Sequence, residues 1–314
     1  MPNLMFEITQ KCNQDCKFCY NVWKENELYP KNELALSKIK SLFLKLTKEI
    51  PLKQIAISGG EPLLRTDLVE VVVFFNSLGI SVSLATNGLF LNEKLIEKLI
   101  LAGVKNFDLT LLSSSAKEHN ELSGNENSFE TVCKSIPTII KYKSSVSVSF
   151  VCLRQNAHRA CGVYDIAFGL GARHLTFLPF TPTGKGLINN DRLRLSKDML
   201  KSALYKLDSK VGTYLMPVNL GICVDPCLFK IPFKNIKFSF CGGGLHKFTI
   251  DSMGNLRPCE QSSKILGNLF EDSFNRLEKS DKIKKFRKVR YKKCYICGYM
   301  FKCIGGCRFS SVFN

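Results

Sequence analysis

Three thiols stand within eight residues near the start of the chain, in Cys12-Asn-Gln-Asp-Cys16-Lys-Phe-Cys19-Tyr20. Thiolates are soft ligands that suit iron–sulfur clusters or zinc. Most iron–sulfur clusters are held by four cysteines. Here no fourth lies nearby, which would leave one iron open to a substrate. The plainer alternative is a zinc site completed by a distant residue. Its imidazole would have to come from His119, His158, His174 or His246, and none of these falls at finger spacing. Two further spacings stand out, Cys241-x12-Gly254-x4-Cys259 and Cys294-x2-Cys297-x5-Cys303-x3-Cys307.

Fourteen cysteines in 314 residues invite a disulfide reading. A secreted disulfide protein is normally shorter and opens with a signal peptide. This chain opens MPNLMFEITQ, without a basic segment followed by a long apolar one. Metal ligation in a reducing cytoplasm is the better account. No apolar run approaches the ~18 residues of a membrane span. The excess of 45 Lys and Arg over 27 Asp and Glu, a net charge of +18, points to an anionic partner. Nucleic acid fits poorly, because the basic residues are scattered and no aromatic–basic recognition pattern accompanies them.

These cysteines must be positioned by regular elements. Strand-like runs at 4–9, 54–58, 80–86, 106–112, 145–153 and 173–180 alternate with helix-like runs at 34–50, 66–78, 92–102, 128–142 and 157–169. Six strands joined by helices predict parallel pairing, hence an α/β chain forming a partial (β/α)6 TIM-like barrel. In such a fold chemistry sits at the C-terminal ends of the strands. Cys12–Cys19, Gly59–Pro62, Thr86–Gly88 and Pro182–Gly184 all follow strands directly. A helix near 196–209 leads into a small irregular cysteine-rich region, in which a hairpin turned by Met253-Gly254-Asn255 delivers Cys259. Such regions are usually stapled by metals. The expected divisions are 1–190 for the barrel, 191–222 for a linking helix and 223–314 for a cluster-binding domain.

Cys-x3-Cys-x2-Cys after a first strand, followed by Gly59-Gly60-Glu61-Pro62 after the second, resembles the radical S-adenosylmethionine superfamily. Thr86-Asn87-Gly88 and Pro182-Thr183-Gly184 resemble that family's ribose- and adenine-side segments. The likeness covers roughly residues 4–185. It implies a [4Fe–4S] cluster on Cys12, Cys16 and Cys19, and S-adenosylmethionine bound by Gly59, Gly60, Glu61, Pro62, Thr86, Asn87 and Gly184. It also implies a 5′-deoxyadenosyl radical that removes hydrogen from a substrate carbon. The chain departs from the family after the fourth strand. Where relatives often read Ser-Leu-Asp-Gly and later Arg-Gly, it has Thr110-Leu111-Leu112-Ser113 and Ser123-Gly124. No catalytic side chain is carried over.

The C-terminal spacings resemble the SPASM extension, which in relatives holds two auxiliary [4Fe–4S] clusters. The resemblance implies one cluster on Cys241, Cys259 and Cys307 with an upstream cysteine, for which Cys227 is chosen over Cys223. A second would take Cys294, Cys297 and Cys303. The chain stops seven residues after Cys307, without the last cysteine that relatives supply. The second site is thus expected to keep three cysteines, with an open iron or a non-cysteine ligand; absence of the cluster or zinc are the alternatives. Cys133, Cys152 and Cys161 read as ordinary buried thiols.

By the same resemblance the reaction is a net oxidation of a peptide or protein, as a cross-link or an oxidised side chain. The alternative is remodelling of a small anionic molecule such as a tetrapyrrole side chain. A chain opening at strand 1 is expected to lack a separate peptide-recognition domain, which weakens the peptide case. An electron donor of ferredoxin or flavodoxin type is implied, and KIKKFRKVRYKK (282–293) offers it a basic surface. The same lysines would equally form a solvated helical face.

Overall fold

Six strands interleave buried apolar residues with polar ones, as in Ser81–Thr86 (SVSLAT) and Val104–Thr110 (VKNFDLT), because successive side chains point to opposite faces of the sheet. They are β1 (Asn3–Thr9), β2 (Gln54–Gly59), β3 (Ser81–Thr86), β4 (Val104–Thr110), β5 (Ser145–Cys152) and β6 (His174–Pro179). Each pairs in parallel with the next. The computed structural model that shows this describes residues 2–24, 32–229, 231, 233–289 and 291–310.

The crossovers are helical, as the periodicity predicts. Five of them, α1 (Leu36–Glu49), α2 (Leu68–Ser77), α3 (Glu93–Ala102), α5 (Ser128–Lys141) and α6 (Ala160–Gly169), fall within a few residues of the expected runs. The helix α4 (Ala116–Ser123) is an addition. It is short and polar, with only His119, Leu122 and Ser123 buried, so its sequence carries little apolar period. Short turns α7 (Lys185–Ile188) and α8 (Asn190–Leu193) precede α9 (Lys197–Tyr214), which runs past the expected end at 209. The Ser196 hydroxyl accepts from Met199 N at its start, and Val211 is still buried near its end.

The C-terminal third belongs to the same sheet. β7 (Val218–Leu220) pairs in parallel with β6, and β8 (Lys247–Ile250) pairs in parallel with β1 on the opposite side. β9 (Asn255–Arg257) and β10 (Gly267–Asn268) extend it antiparallel. The strand order is β10-β9-β8-β1-β2-β3-β4-β5-β6-β7, an open sheet of ten strands among the described residues. One apolar core runs from Leu4 through Leu200 to Ile283, across the expected divisions at 190 and 223.

The expected hairpin forms between β8 and β9. Gly254 turns at φ +84, and the Asp251 carboxylate accepts from Met253 N and Asn255 N. Arg257 then reaches the Glu7 carboxylate on β1, both side chains being fully buried. Among the described residues no helix is long and apolar enough to cross a membrane.

Candidate active site

At the C-terminal ends of the strands lies a cavity of about 320 Å³. Cys12, Cys16 and Cys19 line it, together with Asp108 and Thr110 of β4 and Ser149 and Val151 of β5. The cysteine segment holds its place by backbone hydrogen bonds. Gly60 N donates to Thr9 O and Glu61 N to Lys11 O, at 2.8 and 2.7 Å. A Cβ on Gly60 would lie 2.0 Å from Lys11 O, so only glycine permits this approach. Asn21 Nδ2 donates to Gly59 O, Asn87 Nδ2 to Asn13 Oδ1, and Gly186 N to Cys19 O.

Of the residues expected to bind S-adenosylmethionine, Gly59, Gly60, Thr86 and Asn87 line the cavity, whereas Glu61, Pro62 and Gly184 stand behind its wall. Glu61 is fully buried. Its carboxylate accepts from Thr86 Oγ1 (2.6 Å), Asn87 N (2.8 Å) and Leu63 N (3.0 Å). Burial raises its pKa against these three bonds. Glu61 thus ties the end of β2 to the end of β3. Gly184 lies against the backbone of Cys19 and Asn21, where a Cβ would approach within 2.7 Å.

Electrostatics suit soft, anionic ligation. Burial raises the pKa of each of the three thiols, most strongly Cys16. Lys24 lines the same cavity. Burial alone would lower its pKa, but Cys19, Cys12 and Cys16 together raise it, so it is a cation facing three potential thiolates.

Several cavity residues went unnoticed in the sequence. Asp108 on β4 accepts from Ser149 Oγ at 2.9 Å and from Ser147 Oγ at 3.2 Å, and burial raises its pKa to about 6. It is an acidic group on the strand after which the family's carboxylate is missing. Lys247 and Glu260 come from the C-terminal third, paired at 2.8 Å, and Gln261 accepts from Thr181 Oγ1 at 2.8 Å. His119 is no free ligand: Leu112 N donates to its Nδ1, its Nε2 meets Ser128 Oγ, and burial lowers its pKa to about 4.

The eight C-terminal cysteines fall into two groups. The Cys223 thiol is hydrogen-bonded to Cys241 and Cys307, and Cys259 interacts with Cys307. Cys227 is not among them, contrary to the choice made on sequence. It lines a separate small cavity with Cys294, Cys297 and Cys303. The physical reason is local. Val224 and Leu228 are anchored in the core and Pro226 opens a 3-10 turn, so Cys223 and Cys227 face different ways. Among the described residues no three His, Cys, Asp or Glu side chains are arranged to hold a single metal ion. A cluster asks for a wider arrangement, because each cysteine takes its own iron. Cys152 is buried in the core, while Cys133 and Cys161 are only partly buried.

Comparison with known proteins bears on this arrangement. The family model of the Radical SAM superfamily matches residues 6–160, and that of the SPASM iron–sulfur cluster-binding domain matches 241–303. The chain is 26% identical to the AdoMet-dependent heme synthase of Methanosarcina barkeri, over 98% of this chain and 91% of that one. It is 27% identical to the PqqA peptide cyclase of Methylocella silvestris, over 84% and 69%. Among solved structures it superposes on Streptococcus suis SuiB bound to its precursor peptide SuiA. That match has a TM-score of 0.77 and 18% identity, covering 97% of this chain and 71% of that one. It also superposes on anSMEcpe with bound AdoMet, with a TM-score of 0.74 and 19% identity over 98% and 89%.

Proposed function

Because this chain is a radical S-adenosylmethionine enzyme with a C-terminal SPASM domain, we propose that Cys12, Cys16 and Cys19 hold its catalytic [4Fe–4S] cluster and that the 320 Å³ cavity receives S-adenosylmethionine and substrate. One observation carries this: three partly buried thiols share that wall with Gly59, Gly60, Thr86 and Asn87. The donor set fits, since the sulfurs are soft ligands and Lys24 offsets the negative charge they acquire. When bound, cluster and cofactor supply a 5′-deoxyadenosyl radical that takes a hydrogen atom from a substrate carbon.

The chain's own residues orient and exclude. Glu61 fixes the β2 and β3 ends, and Gly59 and Gly60 line the cavity where the amino-acid head group of the cofactor would lie. Asp108 and Glu260 are carboxylates that line the same chamber, where they would accept a proton from an oxidised product. Cys241, Cys259 and Cys307 hold an auxiliary [4Fe–4S] cluster, with Cys223 as the upstream ligand in place of Cys227. The exposed lysines Lys282, Lys284, Lys285 and Lys288 form the docking face for an acidic ferredoxin- or flavodoxin-type donor. They adjoin Arg287, which donates to Cys241 O at 2.7 Å. The proposed division is barrel 1–190, linking helix 191–222 and cluster domain 223–314, and reduced thiols fit a cytoplasmic setting.

The substrate is a peptide or protein, oxidised by cross-linking or at a side chain. The likeness to a peptide cyclase and the excess positive charge support an acidic peptide. The end-to-end match with a heme synthase favours a second reading, an anionic tetrapyrrole. Deuterium transfer into 5′-deoxyadenosine tests both: the true class labels the product from a deuterated substrate carbon, and the other leaves it unlabelled.

A further inference from the structure

We infer that Cys227 completes a second auxiliary cluster with Cys294, Cys297 and Cys303, making it an all-cysteine site with no iron left open. This rests on reading those last three residues as cluster ligands. The four thiols line one small cavity, drawn from the 3-10 turns Pro226–Leu228 and Lys292–Ile296, Cys297 directly after the latter, and the final turn Met300–Cys303.

The meeting of these segments is built in. Gly306 sits at φ +76, and a Cβ there would fall 1.5 Å from Asp225 Oδ1, so the 303–307 loop reaches the 225–227 segment only through glycine. Cys303 Sγ lies 3.9 Å from Asp225 Oδ1 on that same segment. Asp225 is the competing ligand, but it also lines a neighbouring cavity beside Cys223. It stands between the two cysteine groups, whereas Cys227 faces only the second. A cluster held by four cysteines has no vacant iron for substrate and serves to carry electrons.

Differential alkylation of the anaerobically reconstituted full chain tests this, because Cys227 is exposed and as a free thiol would react at once with iodoacetamide. The expected result is protection of Cys227 together with Cys294, Cys297 and Cys303, lost for all four once a chelator and oxidant strip the clusters. Alkylation of Cys227 in the loaded chain, with the other three protected, overturns the inference and leaves the reading of those three intact. Alkylation of all four overturns both. Electron paramagnetic resonance of reduced Cys227→Ala supplies a second reading. It should alter the signal that Cys294→Ala alters and spare the one tied to Cys241. A change confined to the Cys241 signal restores Cys227 to the first cluster, and a change seen only in Asp225→Asn makes the carboxylate the ligand; either result contradicts the inference.

Discussion

Asp108 keeps its charge only against its surroundings. Two serine hydroxyls favour the carboxylate, yet burial outweighs them and raises its pKa from 3.8 to about 6. Between those values the folded chain binds more protons than the unfolded one, so folding stability falls as pH rises through that window. Asn in its place removes the effect: Asp108→Asn should gain stability relative to wild type as pH rises from 4 to 6, and hold that gain above it, read from thermal midpoints. A constant difference would mean the carboxyl is not held near neutral. The cysteines behave in a related way. Burial raises the pKa values of Cys12, Cys16 and Cys19, so without iron they stay thiols, and ligation would have to expel their protons. Iron loading should therefore strengthen from pH 7 to pH 9, and Lys24→Met should shift that dependence to higher pH. Loading insensitive to both would remove Lys24 from the site. The cysteine spacings were legible residue by residue. Asp108, Lys24 and Glu260 were not, because a single polar residue in a run shows neither which way it faces nor what lies opposite.

At the scale of elements, the site depends on backbones touching. Gly60→Ala places a methyl group 2.0 Å from Lys11 O and must push the cysteine segment away from β2. It should abolish cluster binding at Cys12–Cys19 while sparing the C-terminal iron; iron counts near the wild-type value would contradict this. Glu7 and Arg257 clamp β1 to β9, although burial still raises Glu7 to about 7 against the guanidinium. Arg257→Met strands a buried carboxylate and should cost about 3–5 kcal/mol, while Glu7→Gln with Arg257→Met recovers much of it. Denaturant midpoints decide; an equal loss in both variants would show that the pair itself matters little. Strand and helix alternation was readable because parallel strands and amphipathic helices carry opposite periods. The joining of β8 to β1 was not, since Leu4 and Phe248 meet across a separation that no local pattern encodes.

The molecule as a whole is an open sheet whose two halves enclose one chamber. Sequence periodicity suggested a barrel followed by an appendage. The structure adds that Lys247, Glu260 and Gln261 of the C-terminal third line the chamber of the first two thirds. The same intertwining explains why Cys223 and Cys227, four residues apart, serve different groups: anchoring of Val224 and Leu228 in the common core decides it. The central claim is that Cys12, Cys16 and Cys19 hold the iron that makes this chain cleave S-adenosylmethionine. Its most direct test is 5′-deoxyadenosine formation by the reconstituted, reduced chain, set beside the variant with all three cysteines replaced by alanine. The account predicts product from the first and none from the second, with loss of about four irons, one cubane cluster. Product from the variant, or a wild-type chain that binds zinc and yields none, would contradict it.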